Sequence, residues 1–167
     1  MSELVDLYDI NHNKTGEVGI RGQSFPSGRY RMSIHIWIVN SRNKIYIQKR
    51  SANRSKFPNF WENAGGGALK GETSIQAMTR EFSEEIGIAP NLKSAVMFKS
   101  IARIDDIVDF WFIKQDFNIE DLNLQKEEVS DAKWVSLDEL EDMIKSGLFV
   151  PTINFSFEPF KNYMLNN

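Results

Sequence analysis

The amino-acid sequence predicts an α/β fold, with helices packed on a mixed or antiparallel sheet in one domain spanning residues 1–167. Three observations carry that prediction. Apolar residues alternate at period two in several short runs bounded by turn residues, the pattern of half-buried strands. Three other segments have helix start and stop signals around apolar residues spaced three and four apart. The 167 residues, 41% hydrophobic and 26% charged, contain no repeat or low-complexity tract. A chain of that length can bury one core, and nothing marks a seam at which to divide it.

Taken in order, residues 4–8 and 17–21 read as strands around the turn residues 13–16. Residues 32–40 place Met32, Ile34, Ile36 and Ile38 on one face, and Ile45 and Ile47 repeat the pattern after the polar turn Asn40-Ser41-Arg42-Asn43. A glycine-rich loop, 65–71, comes next. Thr73-Ser74-Ile75-Gln76 has the spacing of a capping box, the run continues without Gly or Pro to Ile86, and Gly87 stands where a C-terminal cap belongs. Further strands are expected over 95–104, 109–117 and 132–135. Ser136-Leu137-Asp138-Glu139 starts a short second helix that Gly147 ends. Pro151 opens a third, with Ile153, Phe157, Phe160 and Met164 along one face.

Composition removes several classes of function. The chain has no cysteine, so disulfides, thiolate catalysis and cysteine metal cages are excluded. That absence, with no charged-then-apolar leader in the first thirty residues, gives the expectation of a cytoplasmic protein. No apolar stretch approaches the ~18 residues of a membrane span. Twenty basic residues against twenty-three acidic ones leave a formal charge of −3. No global positive field is available to attract a long nucleic acid, so an anionic ligand must be held by local cations or a metal.

The chemistry concentrates in residues 65–88. On a helical wheel at ~100° per residue, Glu81, Glu84 and Glu85 fall in an arc of ~100° beside an apolar stripe of Ile75, Met78, Phe82 and Ile86. Three carboxylates at i, i+3 and i+4 repel one another, and a hard divalent cation, Mg²⁺ or Mn²⁺, neutralises them. A solvated acidic face is the bland alternative. Arg80, four residues before Glu84, has the spacing to hold one carboxylate in orientation, and Glu72 precedes the helix as a further oxygen donor.

Gly66, Glu72, Arg80, Glu81, Phe82, Glu84, Glu85, Gly87 and Ile88 fill the pattern G-x5-E-x7-R-E-U-x-E-E-x-G-U, in which U is bulky and apolar. The segment resembles the Nudix box at every fixed position, with Phe82 an aromatic choice where aliphatic residues are commoner. The resemblance implies a Nudix-type α/β/α sandwich with a mixed central sheet, and hydrolysis of a nucleoside diphosphate linked to another group by a metal-activated water. It implies Glu81, Glu84 and Glu85, with Glu72, as metal ligands, and Gly66 as part of the substrate-binding loop. Glu81 and Glu128 both stay open as the group that takes the water's proton.

Outside the box, Arg21-Gly22, His35, Gln48-Lys49-Arg50-Ser51, Phe57-Pro58 and Trp61 are similar to the Nudix branch related to type I isopentenyl-diphosphate isomerase. That likeness implies Arg50, and less directly Arg54, as cations that touch the diphosphate. Trp61 is a candidate for stacking on the ligand, with a place in the core as its alternative. The isomerase has a cysteine beside the glycine that opens the box, whereas Gly65 stands there in this chain. An isomerase-like enzyme and a non-catalytic Nudix-fold nucleotide-binding regulator are the alternatives to hydrolysis. The expected partner is a small diphosphate-containing substrate, without long nucleic acid or membrane, taken by a monomer or homodimer.

Overall fold

The computed structural model describes residues 2–167. A two-stranded ribbon pairs β1 (Leu4–Tyr8) with β2 (Lys14–Ile20). The main sheet contains β3 (Arg31–Val39), β4 (Ile45–Arg50), β5 (Trp61–Glu62), β6 (Ala64–Gly67), β7 (Val96–Ala102), β8 (Asp106–Lys114) and β9 (Val129–Val135). Its order is β5-β4-β3-β8-β7, with β6 added to β3 and β9 to β4. The sheet is mixed because β3 and β8 run parallel, from Arg31 opposite Asp106 to Val39 opposite Lys114. The three helices are α1 (Ser74–Ile86), α2 (Leu137–Lys145) and α3 (Ile153–Asn166).

Strand β3 organises the layers. Its even residues Ile34, Ile36 and Ile38 pack with Met78, Phe82 and Ile86 of α1, all at most 1% exposed. On the opposite face Trp37 and Val39 pack with Leu140 of α2 and Phe157 and Phe160 of α3. The Trp37 and Phe160 rings stack with centroids 4.0 Å apart. Burying each such side chain contributes roughly 1.5–3 kcal/mol, so the two cores pin helices to both faces of the sheet. The strand and helix signals predict the α/β class, and the layering is the α/β/α sandwich that the Nudix-box resemblance implies.

The functional geometry begins where β3 and β4 part. They pair only at Val39 and Ile45, beside their hairpin. Farther along, β6 takes the place of β4, with Ser33 opposite Gly67 and His35 opposite Gly65. The expected glycine loop is therefore a strand over its first residues. Glycine hides strand character in a sequence, since it has no side chain to alternate. Other expectations shift: β2 begins at Lys14 rather than after the turn, β8 and β9 each begin three residues earlier than expected, α3 begins at Ile153 rather than Pro151, and Ile75 is 44% exposed, outside the apolar stripe of α1. Both helix caps hold as read. Thr73 and Gln76 exchange the capping-box bonds, as do Ser136 and Glu139, while Gly87 closes α1 at φ 81°.

Candidate active site

A cavity of about 430 Å³ opens where the strands part. Its floor is the backbone of Gly65, Gly66 and Gly67, and its walls come from β3, the end of β4, α1, and the loops around residues 54–57, 103–106 and 125–128. The glycines are required by proximity. A Cβ on Gly66 would overlap the Glu81 carboxylate, and one on Gly65, where φ is +153°, would overlap the Ile34 carbonyl. The bare backbone thus lets α1 lay its carboxylates against the strand.

Helix α1 buries two glutamates alongside its apolar stripe, Glu81 at 8% exposed and Glu85 at 3%, while Glu84 keeps a half-exposed side chain. Glu85 accepts a 3.0 Å bond from the Gly65 N–H. Burial pushes its carboxyl well above the usual range, the Glu62 charge adds to the rise, and the Gly65 bond opposes it. Burial also raises Glu81, against the pull of Arg80, and Glu62, against the pull of Arg50.

Arg80 is the hub of this wall. Its Nε and Nη2 donate to both oxygens of Glu72 at 2.7 and 3.0 Å, Nη1 donates to Glu81 and Glu84 at 3.0 Å, and Nη2 reaches the Gly67 carbonyl at 2.9 Å. Hydrogen bonding to Glu72 is the main reason its pKa rises above the usual arginine value. Burial works most strongly on Glu72, against ionising, but the Arg80 bonds, the Leu69 N–H and the Arg80 charge together outweigh it and hold the carboxyl below its usual range. The other Glu72 contact is the Leu69 N–H. Glu72 therefore stands outside the cavity, spent on Arg80 and the loop, rather than beside Glu81 as an oxygen donor.

The donors fit a hard divalent cation in kind: carboxylate oxygens, two of them buried, crowded on one helical turn against a side-chain-free strand. Among the described residues no three His, Asp or Glu side chains already converge as a cage. Arg80 Nη1 lies between Glu81 and Glu84, and Glu85 is turned to Gly65.

The structure brings Arg50, Arg54, Gly66, Arg80, Glu81, Glu84 and Glu128 to one cavity. Arg50 donates to Glu62 at 2.8 Å and to the Lys56 carbonyl at 3.0 Å. Arg54 pairs with Glu128 at 2.9 Å. Trp61 is placed elsewhere: it packs against the core beneath α2 and α3, with the Lys133 ammonium 4.8 Å from its ring centre. Sequence reasoning missed Arg103 and Asp106, as well as the placement of Arg31 in the cavity wall. The signal available was the alternation of Arg31, Ser33 and His35 along β3, a polar stretch of the face that carries Trp37 into the core.

Residues 29–152 match the NUDIX domain. The chain is 42% identical over 147 residues to an uncharacterized Nudix hydrolase of Listeria monocytogenes, covering 87% of each. It is 29% identical over 161 residues to isopentenyl-diphosphate Delta-isomerase 2 of Photorhabdus laumondii, covering 93% of this chain and 89% of that one. The fold is similar to the crystal structure of DR0079 from Deinococcus radiodurans, with a TM-score of 0.74 over 89% of this chain and 92% of that one at 22% identity. The fold is that of the Nudix proteins, and the domain match with the 42% identical relative gives the class, a diphosphate hydrolase. The chain belongs to the Nudix family and is a Nudix hydrolase.

Proposed function

We propose that this enzyme cleaves the diphosphate linkage of a small nucleoside diphosphate derivative with Mg²⁺ or Mn²⁺ held by Glu81, Glu84 and Glu85. The observation that carries the reading is the pair of buried carboxylates, Glu81 and Glu85, set against a strand too bare to neutralise them. A divalent ion there supplies neutralisation of diphosphate oxygens and a more acidic water. Arg80 keeps Glu81 and Glu84 in orientation, and Glu72 keeps Arg80. Arg50 and Arg54 donate to the diphosphate, exchanging their present carboxylate partners for it. The attacking water loses its proton to Glu128 or Glu81. Glu128 is supported by its place on the cavity wall, where the turn carrying it docks on α1 through the Gln125 N–H and the Glu85 carbonyl.

The substrate is compact, in keeping with a cavity of about 430 Å³. We place the enzyme in the cytoplasm as one domain over residues 1–167, monomeric or homodimeric. Among the described residues no helix is long and apolar enough to cross a membrane. The test is a hydrolysis screen over nucleoside diphosphates, triphosphates, dinucleotides, nucleotide sugars and capped RNA, with product analysis. Activity on small diphosphates that is lost on exhaustive chelation and restored by Mg²⁺ or Mn²⁺ supports the reading. Undiminished turnover after chelation removes the metal, and a strong preference for capped RNA removes the compact substrate.

A further inference from the structure

The cavity has a second polar wall that the hydrolytic residues leave unused. Asp106, fully buried, is the centre of it. Arg103 donates to both of its oxygens, through Nε at 2.7 Å and through Nη2, and Ser33 adds a hydroxyl bond at 2.9 Å. Those three bonds already satisfy a buried carboxylate. A second guanidinium, that of Arg31, nevertheless lies 3.5 Å away, brought there by the parallel register that sets Arg31 opposite Asp106. Two guanidiniums face one carboxylate, so one positive charge is left over.

That charge is fixed in place and open to the cavity. The Arg103 guanidinium is held along its edge by Asp106 and across its face by the Phe155 ring of α3, 4.2 Å from its centroid. The side chains of Arg31 and Arg103 keep 25% and 31% of their surface exposed, whereas Asp106 keeps 1%. An incoming ligand therefore meets the arginines and not the acid. A guanidinium oriented on two sides is prepared to bind a planar or tetrahedral oxyanion with little further loss of freedom. The wall also lies close to the hydrolytic centre: Arg31 Nη1 would be 3.5 Å from a Cβ on Gly67, the neighbour of the glycine that abuts Glu81.

Arg50 and Arg54 stand on a different stretch of the wall, each paired with its own glutamate. The cavity thus has cations for the scissile diphosphate and a separate clamp beyond it. We infer that Arg31 and Arg103, oriented by Asp106, bind an additional anionic group of the substrate, a phosphoryl or carboxylate carried by the part of the molecule beyond the diphosphate that is cut. Asp106 is a positioning residue in this scheme and touches no ligand. The inference rests on the hydrolase reading, but the clamp itself is built from the protein's own residues.

The experiment has two arms. In chelator, the carboxylate wall has no cation with which to hold an anion, so titration of inorganic phosphate followed by calorimetry reads the arginines alone. Saturable binding is expected, weakened tenfold or more by Arg31→Gln and by Arg103→Gln, and less than threefold by Arg42→Gln, an exposed arginine outside the cavity. Thermal melts identify any variant that fails to fold; Arg31→Gln is the safer of the two, since Arg103 and Ser33 still satisfy Asp106. Absence of phosphate binding in the unaltered protein overturns the inference, as does binding that Arg31→Gln and Arg103→Gln leave alone.

The second arm compares UDP-glucose with UDP-glucuronate, which differ only at C6 of the sugar, a hydroxymethyl group in one and a carboxylate in the other. With Mg²⁺ present the charged member is expected to have the lower KM, and Arg103→Gln to remove at least tenfold of that advantage. Equal KM values, or a difference that Arg103→Gln preserves, overturn the assignment of the clamp to substrate. If neither compound nor any other diphosphate is hydrolysed while phosphate still binds to Arg31 and Arg103, the hydrolase reading fails and the clamp stands.

Discussion

Acid should destabilise this protein through His35 before its surface carboxylates titrate. The imidazole lies between Phe110 and Phe155, with ring centroids 5.6 and 5.5 Å away, and its Nδ1 is sealed off with no hydrogen-bond partner. Burial lowers its pKa to about 4, the Arg103 charge lowers it further, and Asp106 pulls the other way. The unfolded chain binds the proton near 6.5, so between about 4 and 6.5 the unfolded state carries more protons and stability rises with pH. The contribution is complete above 6.5 and lost as pH falls to about 4. At ~1.4 kcal/mol per pH unit it amounts to roughly 3.5 kcal/mol, an upper figure because one edge of the ring borders the cavity. Glu62, Glu81 and Glu85, held above their usual range, act oppositely and gain stability on protonation. The difference between the unaltered protein and His35→Gln isolates the histidine. Urea unfolding of both from pH 7 to 4.5 should show the gap narrowing by about 2–3 kcal/mol as pH falls. Parallel profiles would mean that the imidazole is protonated in the folded protein or hydrated through the cavity.

Arg80→Gln should lower stability at pH 7 by about 2–3 kcal/mol, toward the low end for a buried ion pair because its side chain is 23% exposed. Calorimetry should find the loss shrinking as pH falls below the range in which Glu72 ionises, since that carboxyl is held down mainly by Arg80; a loss independent of pH would assign it to packing. The double replacement Glu84→Gln, Glu85→Gln should keep the fold and remove at least ~10²-fold of kcat on any diphosphate that is hydrolysed. Normal turnover by it would make the acidic stripe mere surface. Isopentenyl diphosphate should not be isomerised, because an alkene carbon needs a positioned acid and base and position 65 has no room for a side chain. Deuterium entering the allylic product in heavy water, at rates above those of the same double variant, would show otherwise.

How much of this was legible in the sequence depends on whether the signal was local. Helix α1 was, because its cap box, its stop glycine and its stripe of Met78, Phe82 and Ile86 are neighbours in the chain. The carboxylate wall was legible for the same reason. Ile75 misled because a periodic stripe does not state where the covering surface ends; it lies instead on the open side of α1 beside Leu92. Trp61 misled because an aromatic at a strand end serves a core or a ligand equally well, and here α2 and α3 cover it. Glu72 stands out in the sequence as an oxygen donor for the metal, whereas in the fold it holds the arginine that holds Glu81 and Glu84.

Beyond the polar alternation of Arg31, Ser33 and His35 on β3, the cationic wall could not be read, and the physical reason bears on the function. Net charge and the absence of a Lys/Arg run argued for few phosphate contacts, Arg50 and Arg54 among them. Arg31 and Arg103 are separated by more than half the sheet in sequence and meet only because β3 and β8 run parallel. Each arginine at the cavity also has a carboxylate beside it: Glu3 for Arg21, Asp106 for Arg31 and Arg103, Glu62 for Arg50, Glu128 for Arg54, and Glu72, Glu81 and Glu84 for Arg80. Composition counts those charges as cancelled. A ligand does not, because it meets individual guanidiniums at hydrogen-bonding range, where the nearer charge dominates and the paired acid mainly fixes orientation. A protein of net charge −3 can therefore hold a small polyanion without the extended basic track that would also recruit RNA.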